Sequence, residues 1–222
     1  MKKVIVVVLG LVLFVCAVAI AAVQDLEIKG RKLVSRKPAF TLMLPSEFQF
    51  VHFSAVEVPK ENSRTRNYLF IRERNKQVEE LLIVQIADKT NPQAGPMTMP
   101  PLKPYTEKRM YVKEKIKRGE LTVDYLIQLM AWNPDAPSLQ PIVKRGIAIP
   151  SRWALQGQLL FSYQAEHAIF VRYSKDVNSF GLKISEDGKG WERESISGNE
   201  KRIYETFRKI FTGIIDSIEI GK

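Results

Sequence analysis

Residues 121–131 read LTVDYLIQLMA, with Leu121, Val123, Tyr125, Ile127, Leu129 and Ala131 at six successive odd positions. Strand side chains alternate between faces with a period of two, whereas a helix would repeat every 3.6 residues. This run is therefore a strand with one apolar face. Leu126, Met130 and Trp132 lie on the other face. Apolar residues on both sides place the strand inside a sheet that is partly covered on each face. Upstream, Met110, Val112 and Ile116 keep the same period, interrupted by Glu114, and Arg118-Gly119 supplies a turn. Residues 109–132 are thus predicted to form a hairpin.

Working outward, more strands emerge. AFTLML (39–44) is a short strand stopped by Pro45. FQFVHFSAVEV (48–58) alternates, with Phe48, Phe50, His52, Ser54, Val56 and Val58 on one face. A turn cluster follows at 59–65, then strand cores at 68–71 and 81–87. Residues 158–163 and 168–173 make a second hairpin turning at Ala165-Glu166. Residues 89–105 contain Pro92, Gly95, Pro96, Pro100, Pro101 and Pro104 and fit neither helix nor sheet. They read as a surface loop, long for a compact domain. Glu186-Asp187-Gly188-Lys189-Gly190 is a second, glycine-supplied loop.

Two helices are expected. Ser138 would cap a short one from Leu139 to Arg145, stopped by Gly146. The other opens with the capping box Ser197-x-x-Glu200. Ile203, Phe207, Ile210, Phe211, Ile214 and Ile218 then form an apolar stripe, opposite Lys201, Arg202, Glu205, Arg208 and Lys209. The fold class is α+β: a mainly antiparallel β-sheet built of hairpins, packed against a long C-terminal helix and a shorter internal helix.

FTLMLPSEF (40–48), a strand ending in proline before an aromatic, and ETFRKIFTGIIDSIEI (205–220) resemble the Mog1/PsbP-like domains. The resemblance spans residues 39–220. It implies a non-catalytic accessory or binding domain, and no functional residue of that superfamily maps onto this chain.

The beginning of the chain differs in kind. Lys2 and Lys3 precede an uncharged apolar run from Val4 to Val23, ended by Gln24 and Asp25. Residues 1–23 are read as a signal peptide or an N-terminal membrane anchor. Ala19-Ile20-Ala21 fits a signal-peptidase site. At ~1.5 Å per residue the run also reaches roughly 30 Å, enough to span a bilayer core. Cys16 gives a poor lipoprotein signal, because Val15 stands where a small residue is needed. Lys29, Arg31, Lys32, Arg36 and Lys37 make residues 24–38 a basic linker and leave the orientation of an uncleaved anchor ambiguous. Residues 39–222 then form a single domain.

The chain has 222 residues, net charge +10 and one cysteine. Cys16 lies in the leader, so no disulfide, thiol nucleophile or cysteine–zinc site is available to the domain. Without Lys2 and Lys3, 32 basic residues face 24 acidic ones, a surplus of +8. That surplus favours anionic surfaces. No Asn-x-Ser/Thr site occurs either. The compartment expected is the bacterial periplasm, with the domain free or membrane-anchored.

Catalytic motifs are missing. His52 and His167 lack local metal-ligand spacing, so each is read as structural. No G-x-S-x-G elbow or phosphate loop is present. Glu79 and Glu80, adjacent in a strand, should point to opposite faces. No cofactor and no metal is indicated. Mixed arginine, lysine and aromatic residues nominate a ligand site: Arg152, Trp153, Arg172, Tyr173, Lys175 and Trp191. The plainer reading makes each tryptophan a core anchor covered by an arginine stem. The function expected is an exported envelope protein that binds a partner protein or an anionic lipid or glycan. RNA binding is disfavoured by export. The alternative is an exported hydrolase with a scattered site near the Pro-rich loop.

Overall fold

A computed structural model describes residues 25–221, apart from 98–99, 119–120, 151, 183–189, 194–195 and 197. The expected leader with Cys16, the turn glycine Gly119, most of the 186–190 loop and the Ser197 cap lie outside the described residues. Among the described residues, no helix is long and apolar enough to cross a membrane.

Among the described residues, eleven strands form two sheets. The smaller contains β1 (Leu26–Lys29), β2 (Lys32–Arg36), β3 (Ala39–Met43) and β11 (Glu219–Ile220), in the order β1-β2-β3-β11. The larger contains β4 (Gln49–Val58), β5 (Ser63–Arg74), β6 (Gln77–Lys89), β7 (Tyr111–Arg118), β8 (Leu121–Ala131), β9 (Trp153–Tyr163) and β10 (His167–Asp176). Its order is β4-β5-β6-β10-β9-β8-β7, with every neighbouring pair antiparallel. Among the described residues, two α-helices complete the α+β fold: α1 (Gln140–Val143), preceded by a 3-10 turn, and α2 (Gly198–Asp216).

The topology is two meanders, β4-β5-β6 and β7-β8-β9-β10, zipped together where β6 pairs with β10. It explains the proline-rich connection. Leaving β6, the chain must cross β10, β9 and β8 to start β7 at the far edge. At ~4.8 Å per strand that is a long traverse with no ladder partner. Proline costs little there, because no backbone N–H is required. Leu102 of this loop is buried with Leu126 and Leu160.

The main core lies between one face of the large sheet and a layer made of the small sheet and α2. Val123, Tyr125, Ile127 and Leu129 all point into it, as the alternation of 121–131 requires. α2 contributes Ile203, Tyr204, Phe207, Phe211, Ile214 and Ile215. Each such burial contributes about 1.5–3 kcal/mol before entropy is counted. Phe207 stacks on Tyr173 at 5.5 Å, and Phe211 meets Tyr125 edge-on at 6.3 Å. A Cβ on Gly157 of β9 would lie 2.4 Å from the Phe211 ring. The helix can approach β9 there only because that position has no side chain.

The opposite face carries a second core. Val51, Leu69, Ile71 and Ile83 pack under Trp132, Leu139 and Ile142 from the segment joining β8 to β9. Arg145 at the end of α1 donates to the Phe50 carbonyl at 3.1 Å and also to that of Val51.

Several sequence expectations are corrected. Residues 26–36, within the stretch read as a basic linker, form two strands. Leu26 and Leu33, in β1 and β2, are fully buried against the main core; an alternation of only four and five residues is masked in the sequence by the basic residues around it. Strand 48–58 does not present one continuous face. Phe50 pairs with Phe70 but His52 pairs with Leu69, so Val51 is a bulge. His52 and Ser54 therefore face the second core, opposite Phe50. Ser138 sits inside the 3-10 turn and makes no cap, although Gly146 does end the segment at φ +72°. α2 stops at Asp216, so Ile218 packs from the short connection to β11.

Candidate functional site

A charged side chain lies almost wholly buried on the main-core side: Glu80, 1% exposed, in β6. Register explains what surrounds it. Glu80 lies beside Arg72 of β5 and beside Lys175 of β10, so three adjacent strands carry a cation–carboxylate–cation row. Lys175 Nζ donates to Glu80 Oε1 at 2.7 Å, Arg72 Nη1 at 3.1 Å and Ser46 Oγ at 3.2 Å. The Tyr173 hydroxyl donates to Oε2 at 3.1 Å. Burial holds the Tyr173 hydroxyl well above its ordinary pKa, and the adjacent carboxylate adds to this. It stays a donor across the physiological range.

Glu79 also reaches Arg72, with 3.5 Å between Oε2 and Nε. Adjacent strand residues normally diverge, but here the register slips: Arg72 pairs with Glu80 and Glu73 with Val78, leaving Glu79 as an extra residue. The expectation that the two acids point apart is thereby corrected. Both serve one guanidinium.

This row forms the floor of a cleft of about 520 Å³. The small sheet contributes Arg31, whose Nε donates to the Leu44 carbonyl at 3.0 Å. Helix α2 contributes Lys209 from its polar face. Arg31, Arg72, Lys175 and Lys209 thus line the cleft around Glu80, with Glu79 also on Arg72, so four cations meet two carboxylates, a surplus of two positive charges among the described residues. Four donors already occupy the Glu80 carboxylate, three on Oε1 and one on Oε2. Such a site suits an anion that brings its own acceptors.

The six residues nominated from sequence do not form one site. Tyr173 and Lys175 line the cleft. Arg172 projects from the opposite face of β10, as strand alternation demands, and lines a separate cavity of about 280 Å³ with His52. Trp191 is fully buried in the main core, the plainer of its two readings. Trp153 begins β9, with the Arg109 guanidinium 5.4 Å above its ring, and Arg152 is exposed just before it. Neither lines the two cavities. Sequence reasoning missed Arg31, Arg72 and Lys209, which belong to three different elements. The one available signal was Glu80, an acid directly abutting the apolar run from Leu81 to Val84.

A third cavity, about 590 Å³, lies beside the Pro-rich loop. Among the described residues lining it, Glu61 is the only acid and there is no histidine. His167 lies elsewhere, with Nδ1 2.9 Å from Asp88, which also takes two bonds from Arg66. Among the described residues, no three histidine, cysteine or acidic side chains are grouped to hold a metal ion.

No family model, curated protein or solved structure matches the chain.

Proposed function

We propose that the chain is a non-catalytic, exported envelope protein whose domain holds an anionic envelope component in the cleft above Glu80. The observation that carries this reading is the surplus of cationic side chains around a carboxylate that already accepts from four donors. A phosphate-bearing headgroup fits best: Lys209 and Arg31 sit at the rim, and Lys175 and Arg72 lie on the floor. Export is supported by Lys2, Lys3 and the apolar run that follows them. The Mog1/PsbP-like resemblance stays within this proposal. Its support is the antiparallel sheet backed by a helix near the chain's end, together with the two quoted motifs.

The test is calorimetric titration of the full chain with glycerol 3-phosphate, using glycerol as the neutral control. Glycerol 3-phosphate should bind and glycerol should not, with affinity falling as salt rises. Lys209→Glu changes the rim without touching the Glu80 bonds. At about 1 kcal/mol per lost charge it should weaken binding roughly fivefold or more and leave the melting temperature unchanged. Equal affinity for glycerol, or an unaffected Lys209→Glu variant, sinks the proposal.

A further inference from the structure

We propose that the cavity on the α1 side of the large sheet is a second ligand site, one that takes a small aliphatic monocarboxylate on Arg172. It is independent of the Glu80 cleft, from which it is separated by the thickness of the sheet.

Arg172 sits in β10, the middle strand of seven, in register between Ile83 of β6 and Gln158 of β9. Its guanidinium packs on Phe170 at 5.1 Å. Its Nε is buried with no hydrogen-bond partner, and among the described residues no carboxylate pairs with it. Arg66, the other arginine embedded in this sheet, shows what saturation looks like. It makes bonds of 2.7 and 3.0 Å to Asp88 and 2.6 Å to the Lys37 carbonyl. A guanidinium that is half-buried, with its Nε held from water and unpartnered, is under-solvated, and an incoming anion offsets that cost. The burial of Arg172 lowers its pKa with no opposing acid, in keeping with the missing partner.

The surroundings define the anion. No acid lines the cavity among the described residues, so the chain supplies no carboxylate of its own. Among the described residues lining it, Arg172 is the only permanently charged side chain. One cation balances one negative charge, whereas a phosphate dianion would leave a second charge uncompensated in a half-buried place. Gln85 Nε2 donates to Asn67 Oδ1, which leaves the Asn67 amide as a further donor. Leu69, Ile83, Pro137 and Pro141 make the walls apolar. The volume, about 280 Å³, is on the order of nine waters at ~30 Å³ each. That is room for an acid with a short branched chain.

The test is calorimetric titration of the full chain with sodium isovalerate. Isovaleramide, the neutral isostere, and inorganic phosphate are the comparators. Isovalerate should bind one to one with saturation below about 1 mM. Isovaleramide should be at least about tenfold weaker, because only the anion pairs with the guanidinium, and phosphate should not displace isovalerate. Arg172→Lys should weaken isovalerate at least about tenfold, since lysine cannot offer two parallel donors. Lys209→Glu, in the other cleft, should leave it unchanged. Ser54→Phe, which fills the cavity from β4, should abolish binding and serves if Arg172→Lys does not fold. No saturation with isovalerate, equal binding of the amide, displacement by phosphate, or full affinity in Ser54→Phe would each overturn the proposal.

Discussion

Replacing Glu80 by leucine tests the organisation of the cleft most directly. Leucine roughly preserves volume and removes the acceptors. Arg72, whose side chain is 43% exposed, can turn to water and loses little. Lys175 and Tyr173 cannot. The Lys175 side chain is 13% exposed and Tyr173 is fully buried, and both would be left without their acceptor. Removing one member of a buried ion pair costs about 3–5 kcal/mol, because the other charge stays buried and unpaired. For a chain of this length each kcal/mol moves the midpoint by about 2–4 °C, so Glu80→Leu should lower it by roughly 6–20 °C. Urea unfolding should show the same loss at an unchanged m-value. The double variant Glu80→Leu/Lys175→Met removes the stranded ammonium as well. It should be markedly more stable than the sum of the single changes, and it isolates the pairwise coupling. If Glu80→Leu costs less than about 1 kcal/mol, or the double variant is merely additive, Glu80 is not the keystone of a desolvated cluster and the reasoning fails.

Two further predictions rest on the other side of the main core. Gly157→Ala should cost about 1–3 kcal/mol by forcing the Phe211 ring off β9, and Phe211→Leu in the same chain should recover part of the loss in urea melts. If alanine is neutral at position 157, the helix does not depend on that close approach. The Tyr125 hydroxyl donates to Glu114, and burial, reinforced by that carboxylate, pushes its pKa up to about 12. A raised pKa means that the protonated form is preferred in the folded state, so this contribution is complete below pH 10 and is lost as pH rises through about 12. Tyr125→Phe should cost about 0.5–1.5 kcal/mol at neutral pH, since the half-exposed Glu114 is rehydrated. The gap between the two proteins should close between pH 10 and 12 in stability measurements, and a gap independent of pH counts against the assignment.

What the sequence determined by itself was local and periodic. The odd-numbered run in 121–131 gave a strand and its buried face. The spacing from Ile203 to Ile214 placed a helix with one apolar stripe, and the residues around Ala165 placed a hairpin. Each follows from neighbours a few positions apart, because side-chain direction is set by the backbone period. Short or interrupted patterns were lost. β1 and β2 carry so many basic residues that they read as a linker, and β9 was traced only from Gln158, although it begins at Trp153. The break was Gly157, a residue that weakens strand propensity and that tertiary packing requires there. Single-residue bulges at Val51 and Glu79 left no mark in the alternation yet reassigned the side chains beside them. The two candidate sites were decided by tertiary structure alone. Glu80 meets Lys175 across 95 residues because β6 pairs with β10. Arg172 and Tyr173, adjacent in sequence and nominated together, face opposite sides of the same strand and belong to different cavities. Strand order and register are set by contacts between distant segments, and it is register that brings charges together across a sheet.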